Sequence, residues 1–133
     1  MNYGLDTSAL LRLLVGEPEA LAQKVNDRLA SLIDSGHKIR ISDLVLSEAY
    51  YALQTHYELT KDQAIATLGS LRSVDGFSLS ATALHVFETP RLGHASPGFV
   101  DRLIIEGYES ADETTISCEK SFSRLAKTEV IRD

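Results

Sequence analysis

Apolar positions along this chain follow two rhythms, short unbroken runs and longer stretches at helical spacing. Tyr3 to Leu5 is a short apolar run that closes on Asp6 and reads as a buried strand. Thr7 to Leu14 predicts a short helix, stopped by Gly16 and Pro18. Beyond Pro18, Leu21, Val25, Leu29, Leu32 and Ile33 recur at helical spacing, which predicts a long amphipathic helix to about Ser35, ended by Gly36. Lys38 to Ile41 reads as a second strand, and Ser42 or Asp43 caps a third helix that reaches about Thr55. Thr60 and Gln63 have the spacing of a capping box, ahead of a helix with Ala64, Ile65, Leu68 and Leu71 on its buried face.

Asp75-Gly76 is a turn signal, and Phe77 to Leu79 reads as a weak third strand. Ala81 to Thr89 predicts a helix. Residues 90–98, PRLGHASPG, hold two prolines and two glycines and predict a loop. Phe99 to Ser110 returns to helix, Thr114 to Ser117 is a fourth strand, Ser121 to Ala126 a short helix, and Glu129 to Ile131 a fifth strand. Strands alternating with helices predict an α/β protein, a parallel sheet of about five strands covered on both faces. With no repeat, low-complexity tract or long linker, residues 1–133 read as one domain.

Composition narrows the class. Hydrophobic residues make up 44% and charged residues 24%, ordinary values for a globular protein with a real core. No apolar stretch approaches the ~20 residues that span a bilayer, so no membrane partner is expected. No basic region followed by an apolar run opens the sequence, so no secretory signal is expected either. The one cysteine, Cys118, permits no internal disulfide and no C-x-x-C metal chemistry, and fits a reducing cytoplasm. Net charge is −6, which opposes passive binding to phosphate backbones. It does not oppose an enzyme that holds a divalent cation on carboxylates, since a bound cation reverses the local field.

Four acids stand in unexpected places. In an open parallel sheet, sites form beyond the carboxyl ends of the strands, and Asp6 ends the first strand. Asp is also a favoured helix cap, which would explain it without chemistry. Glu48, in SDLVLSEAYYAL, shares a helix face with Leu44, Val45 and Ala52. A carboxylate buried there must be paired, protonated or bound to something; alternatively the helix edge reaches solvent and Glu48 points out. Asp101 shares a face with Pro97, Ile104, Ile105 and Tyr108, and it also lies in a first helical turn, where an acid favours the dipole. Glu119 follows the fourth strand at another helix start. Carboxylates gathered at one sheet edge would repel and raise one another's pKa values. Divalent metal relieves that conflict, and Mg²⁺ takes one or two carboxylates plus waters and substrate phosphate oxygens. Two such ions roughly 4 Å apart activate water and stabilise the leaving oxygen in phosphodiester cleavage.

These segments, in this order, resemble the PIN domain family, and within it the VapC-type toxin ribonucleases of toxin–antitoxin pairs. The resemblance covers nearly the whole chain and rests on GLDTSALLRLL, on ISDLVLSEAYYAL with Glu48, on PGFVDRLI with Asp101, and on TTISCEKSF. It implies a three-layer α/β/α fold with a central parallel sheet. It implies an acidic site of Asp6, Glu48, Asp101 and Glu119, with Asp6 and Asp101 as ligands of Mg²⁺, for which Mn²⁺ would substitute. Ser8 matches the small polar residue that supports the first acid, and Ser117 the hydroxyl before the fourth. The family usually reads Thr-x-Asp-Lys there, whereas this chain reads Ser117-Cys118-Glu119-Lys120. The implied reaction is metal-dependent hydrolysis of RNA, with Glu48 orienting water and Glu119 completing the pocket. Arg12, Arg102 and Lys120 are candidates for phosphate contacts, and His94 for a substrate contact. The implied partners are the RNA substrate and a cognate antitoxin protein, and homodimers are common in the family. Tyr50, Tyr51 and Tyr57 would serve an interface or, by default, the core.

Rival readings fit less of the chain. A Mg²⁺-binding receiver-type signalling domain needs an adjacent acid pair after strand one, where Leu5 precedes Asp6, and a phosphate-accepting Asp after strand three, where GFSLSAT has none. A phosphatase with an Asp nucleophile needs a second acid where Ser8 stands. Neither Ser8 nor Cys118 has a His partner nearby in sequence, and no P-loop is present. A catalytically inactive PIN-like scaffold for partner binding is the alternative that Glu119 keeps open.

Overall fold

A computed structural model describes residues 2–132. They form two compact units, divided between Ser80 and Ala81. The first contains β1 (Asn2–Gly4), α1 (Thr7–Val15), α2 (Glu19–Asp34), β2 (Lys38–Arg40), α3 (Asp43–Thr55), α4 (Lys61–Gly69), a 3₁₀ turn at Ser70–Ser73 and β3 (Phe77–Ser78). Its strands form one parallel ladder in the order β1-β2-β3, with Tyr3 opposite Ile39 and Ile39 opposite Phe77. Each parallel crossover is made by two helices, as the geometry of parallel pairing demands.

Local chemistry sets the helix ends. Asp6 caps α1, and Gly16 closes it in the left-handed conformation at φ 79°. Ser42 caps α3 by accepting the Val45 N–H at 3.2 Å. At α4 both halves of the capping box form: Thr60 Oγ1 accepts from the Gln63 N–H at 3.1 Å, and Gln63 Oε1 accepts from the Thr60 N–H at 2.9 Å. Leu10, Ile39, Ile41, Leu46, Leu53 and Leu68 are each no more than 1% exposed.

The α2 face differs from the sequence expectation. Leu21 is 45% exposed, and Ala22 is buried instead. At about 100° per residue, Ala22 lies about 20° round the helix from the buried Leu29, whereas Leu21 lies about 80° away. On α3, Tyr50 joins the core while Tyr51 is exposed.

The second unit contains α5 (Ala81–Phe87), a 3₁₀ turn at Leu92–His94, α6 (Phe99–Ser110), β4 (Thr115–Ser117), a 3₁₀ turn at Lys120–Arg124 and β5 (Thr128–Val130). β4 and β5 pair in parallel, with Ile116 opposite Glu129. The Phe87 and Phe99 rings pack 5.1 Å apart between centroids. The helix predicted at Ser121–Ala126 is the 3₁₀ turn instead. The short β4–β5 connection allows little more, and Thr128 Oγ1 pins the turn by donating to the carbonyls of Phe122 and Leu125. Asp112 and Lys127, both in the left-handed region at φ 60° and 55°, are joined by a side-chain ion pair.

The class is therefore α/β with parallel strands, as the alternation predicts. The expected sheet of about five strands is drawn as two ladders, of three strands and of two. Among the described residues no helix is long and apolar enough to cross a membrane.

Candidate active site

In the first unit the site is built around the start of α1. Asp6 leaves β1 in extended conformation, at φ −89° and ψ 173°, and turns directly into the helix. Its Oδ1 accepts the Ala9 N–H at 3.0 Å and the Ser8 hydroxyl at 2.8 Å. The Ala9 N–H first, and the Ser8 hydroxyl second, hold this carboxyl below the usual carboxylate range. The cap occupies Oδ1, and Oδ2 accepts no hydrogen bond among the described residues. Capping and ligand binding are thus compatible at this one side chain.

Thr7 ties the second acid to the first. Its hydroxyl donates to Glu48 Oε1 at 2.7 Å, joining the first turn of α1 to α3 across 41 positions of sequence. Sequence reasoning assigned Thr7 no acid partner, and the only signal was a hydroxyl residue following a strand-end acid. Glu48 is exposed, and so is Leu44 one turn before it, at 71%; Val45 and Ala52 are half-buried. The alternative in which this helix edge reaches solvent is the one observed.

The second unit holds the other two acids. Asp101 lies in the first turn of α6, whose cap residue Gly98 offers no side chain, and it is half-buried. Burial first, and the charge of Glu119 second, raise its pKa above the ordinary 3.8. On its helix, Pro97 and Ile105 are buried, whereas Ile104 and Tyr108 are about half exposed, at 47% and 48%. Glu119 follows β4 and opens the 3₁₀ turn. Its N–H donates to Ser117 Oγ at 2.9 Å, so Ser117 fixes the backbone that carries the acid.

The candidate cations differ in how they are engaged. Arg102 Nε donates to the Pro97 carbonyl at 2.6 Å. Arg12 Nε is buried without a hydrogen-bond partner. The Lys120 side chain makes no hydrogen bond or ion pair among the described residues, and His94 sits exposed on its 3₁₀ turn.

Among the described residues no group of three or more His, Cys, Asp or Glu side chains is arranged as a metal cluster. The donor chemistry of the individual carboxylates nevertheless suits a hard divalent cation. Asp6 Oδ2 in the first unit and the Asp101 carboxylate in the second each accept no hydrogen bond among the described residues, and carboxylate oxygens of this kind are what Mg²⁺ takes.

The sequence model of the PIN domain matches residues 3–128, nearly the whole chain. The chain belongs to the PIN domain family. PIN domains are generally nucleases that use divalent metals, and the α/β/α fold and parallel strands of this PIN domain follow from that membership. One solved structure similar to it is the crystal structure of VapBC2 from Rickettsia felis bound to a DNA fragment from their promoter. It is 20% identical with a TM-score of 0.43, and the likeness covers 98% of each chain. No curated protein matches this PIN domain.

Proposed function

We propose that this PIN domain is a metal-dependent endoribonuclease, the toxin half of a VapC-type toxin–antitoxin pair, with residues 1–133 acting as one cytoplasmic domain. The observation that carries the reading is the family match itself, over residues 3–128, a span that includes Asp6, Glu48, Asp101 and Glu119. All four acids stand at helix starts or strand ends, or on an exposed helix face, where a phosphodiester has access.

Asp6 and Asp101 would hold the Mg²⁺, with Mn²⁺ as a substitute. When bound, the metal supplies a nucleophilic water at neutral pH and neutralises charge on the scissile phosphate. Asp6 is held ionised by the Ala9 N–H and the Ser8 hydroxyl, so it is ready to bind a cation without losing a proton. Asp101, disfavoured as an anion by burial and by Glu119, gains most from a cation beside it. Glu48, oriented by the Thr7 hydroxyl, accepts a proton from the attacking water or positions it. Glu119 completes the set, one methylene longer than the family's usual Asp. A cognate antitoxin with a basic segment suits the chain's net charge of −6.

The test is cleavage of a mixed cellular RNA pool by purified protein, with Mn²⁺ or Mg²⁺, with chelator, and with Asp101→Asn. Cleavage that needs metal and disappears in the variant is expected. Intact RNA at enzyme levels well above trace would instead favour the inactive, partner-binding PIN domain, for which the Glu119 exchange is the specific observation.

A further inference from the structure

A cavity of about 580 Å³ opens in the second unit, lined among the described residues by Cys118, Lys120, Ile131 and Arg132. Its volume falls within the roughly 300–1,000 Å³ of small-ligand clefts. We propose that this cavity is an RNA-backbone subsite, in which Lys120 and Arg132 together hold phosphates of the substrate strand next to Glu119. The proposal deepens the nuclease reading and rests on it for the identity of the strand.

The chain's other charges make this placement informative. With 19 acids against 13 Lys and Arg, the molecule as a whole repels a polyanion. An attachment point must therefore come from cations that no internal acid neutralises. In the second unit, Lys127 is consumed by its ion pair with Asp112. Arg102 and Arg124 keep their charge but each ties one guanidinium N–H to a carbonyl, of Pro97 and of Ser96, and Arg91, exposed and without a hydrogen bond or ion pair among the described residues, is not in the lining of this cavity. Lys120 and Arg132 make no hydrogen bond or ion pair among the described residues, both are exposed, and both line this one cavity.

The backbone sets them there. The Ile131 N–H donates to the Ser117 carbonyl at 2.7 Å, extending the β4–β5 ladder. That bond brings the residue after Ile131 beside the segment Cys118-Glu119-Lys120. Among the described residues the lining carries no aromatic side chain on which a base would stack and no carboxylate or amide that reads a base edge. Two cations and an isoleucine recognise phosphate and not sequence. The subsite thus anchors the strand in register with Glu119 and leaves the choice of sequence to other contacts.

The experiment is fluorescence anisotropy of a short labelled single-stranded RNA on the full chain, in chelator so that no cleavage intervenes, over a series of salt concentrations. Lys120→Ala and Arg132→Ala are each expected to lower the slope of log affinity against log salt by about 0.7, and the double variant by about 1.4. The double variant should bind roughly tenfold more weakly, uniformly across RNA sequences. Lys120→Arg and Arg132→Lys should keep the wild-type slope. Lys24→Ala on α2 removes the same charge outside the cavity and should leave it unchanged. Thermal melts confirm that the variants fold.

Wild-type slope and affinity in the double variant would overturn the subsite, as would an equal effect from Lys24→Ala or failure of the wild type to bind RNA. The cleavage assay keeps the two readings apart. Cleavage by a wild type whose double variant binds normally would remove the subsite and leave the nuclease. Binding that depends on Lys120 and Arg132, without cleavage in metal, would remove the nuclease and leave the subsite.

Discussion

Exchanging a single oxygen of Asp6 for nitrogen separates folding from chemistry. Asn caps helices about as well as Asp, so Asp6→Asn should keep the Ala9 contact and melt within a few tenths of a kcal/mol of wild type. Asp6→Ala loses the cap and should cost about 1 kcal/mol in denaturant unfolding. Both should lower RNA cleavage by more than roughly a hundredfold, because both remove the carboxylate proposed to hold the metal. If Asp6→Asn cleaved normally, Asp6 would be a cap and nothing more. A second residue-scale prediction concerns His85, whose ring Nδ1 meets Glu106 Oε2 at 2.7 Å. That hydrogen bond first, and the charges of Glu106, Glu88 and Glu109 with it, raise the His85 pKa above 6.5. The protonated form is favoured by folding, so the pair's stabilisation is fully present below pH 6.5 and is lost as pH rises through the raised value. His85 is exposed, so the effect on melting is small and NMR titration is the sharper readout. Glu106→Gln should return the His85 midpoint toward its ordinary value.

Elements were legible where their ends carry their own chemistry. The capping box at Thr60 and Gln63, the Ser42 cap and the helix Phe99–Ser110 follow from side-chain hydrogen bonds and apolar spacing within a few residues. The division of the strands into two ladders was not legible, because short strands carry no mark of their partners. At the candidate site, Asp6 and Glu119 were visible as acids after strands, and Glu48 and Asp101 as acids among apolar helix positions. The Thr7–Glu48 bond and the placing of Lys120 and Arg132 on one cavity were not, since both depend on how separate stretches of chain come together. Glu48's exposure was open for a similar reason: spacing shows which residues share a helix face, not whether another element covers it. One tight turn gives an element-scale prediction. Gly76 adopts φ 91° in the turn just before β3, and a Cβ there would lie 2.7 Å from Ile33 Cγ1 and 2.8 Å from its Cγ2. Gly76→Ala should destabilise by about 3 kcal/mol, from left-handed backbone strain and overpacking together. Adding Ile33→Ala should relieve the steric part only, and a double-mutant cycle would show that as coupling.

At the scale of the whole molecule, an acidic chain that uses a divalent cation should be stabilised by it. A ligand at a hundred times its Kd adds about 2.7 kcal/mol of apparent stability if it binds only the folded state. Mn²⁺ should therefore raise the melting temperature by several degrees, and Asp101→Asn should remove most of that rise. A melting temperature indifferent to Mn²⁺ in the wild type would count against metal binding at these carboxylates. The position of the only thiol has a practical consequence. Cys118 is exposed and borders the cavity that Lys120 and Arg132 share. A maleimide dye would attach at this one point on the native chain, with no engineered cysteine. Its emission would then report on that cavity, following a strand's arrival and departure in real time, chemistry or no chemistry.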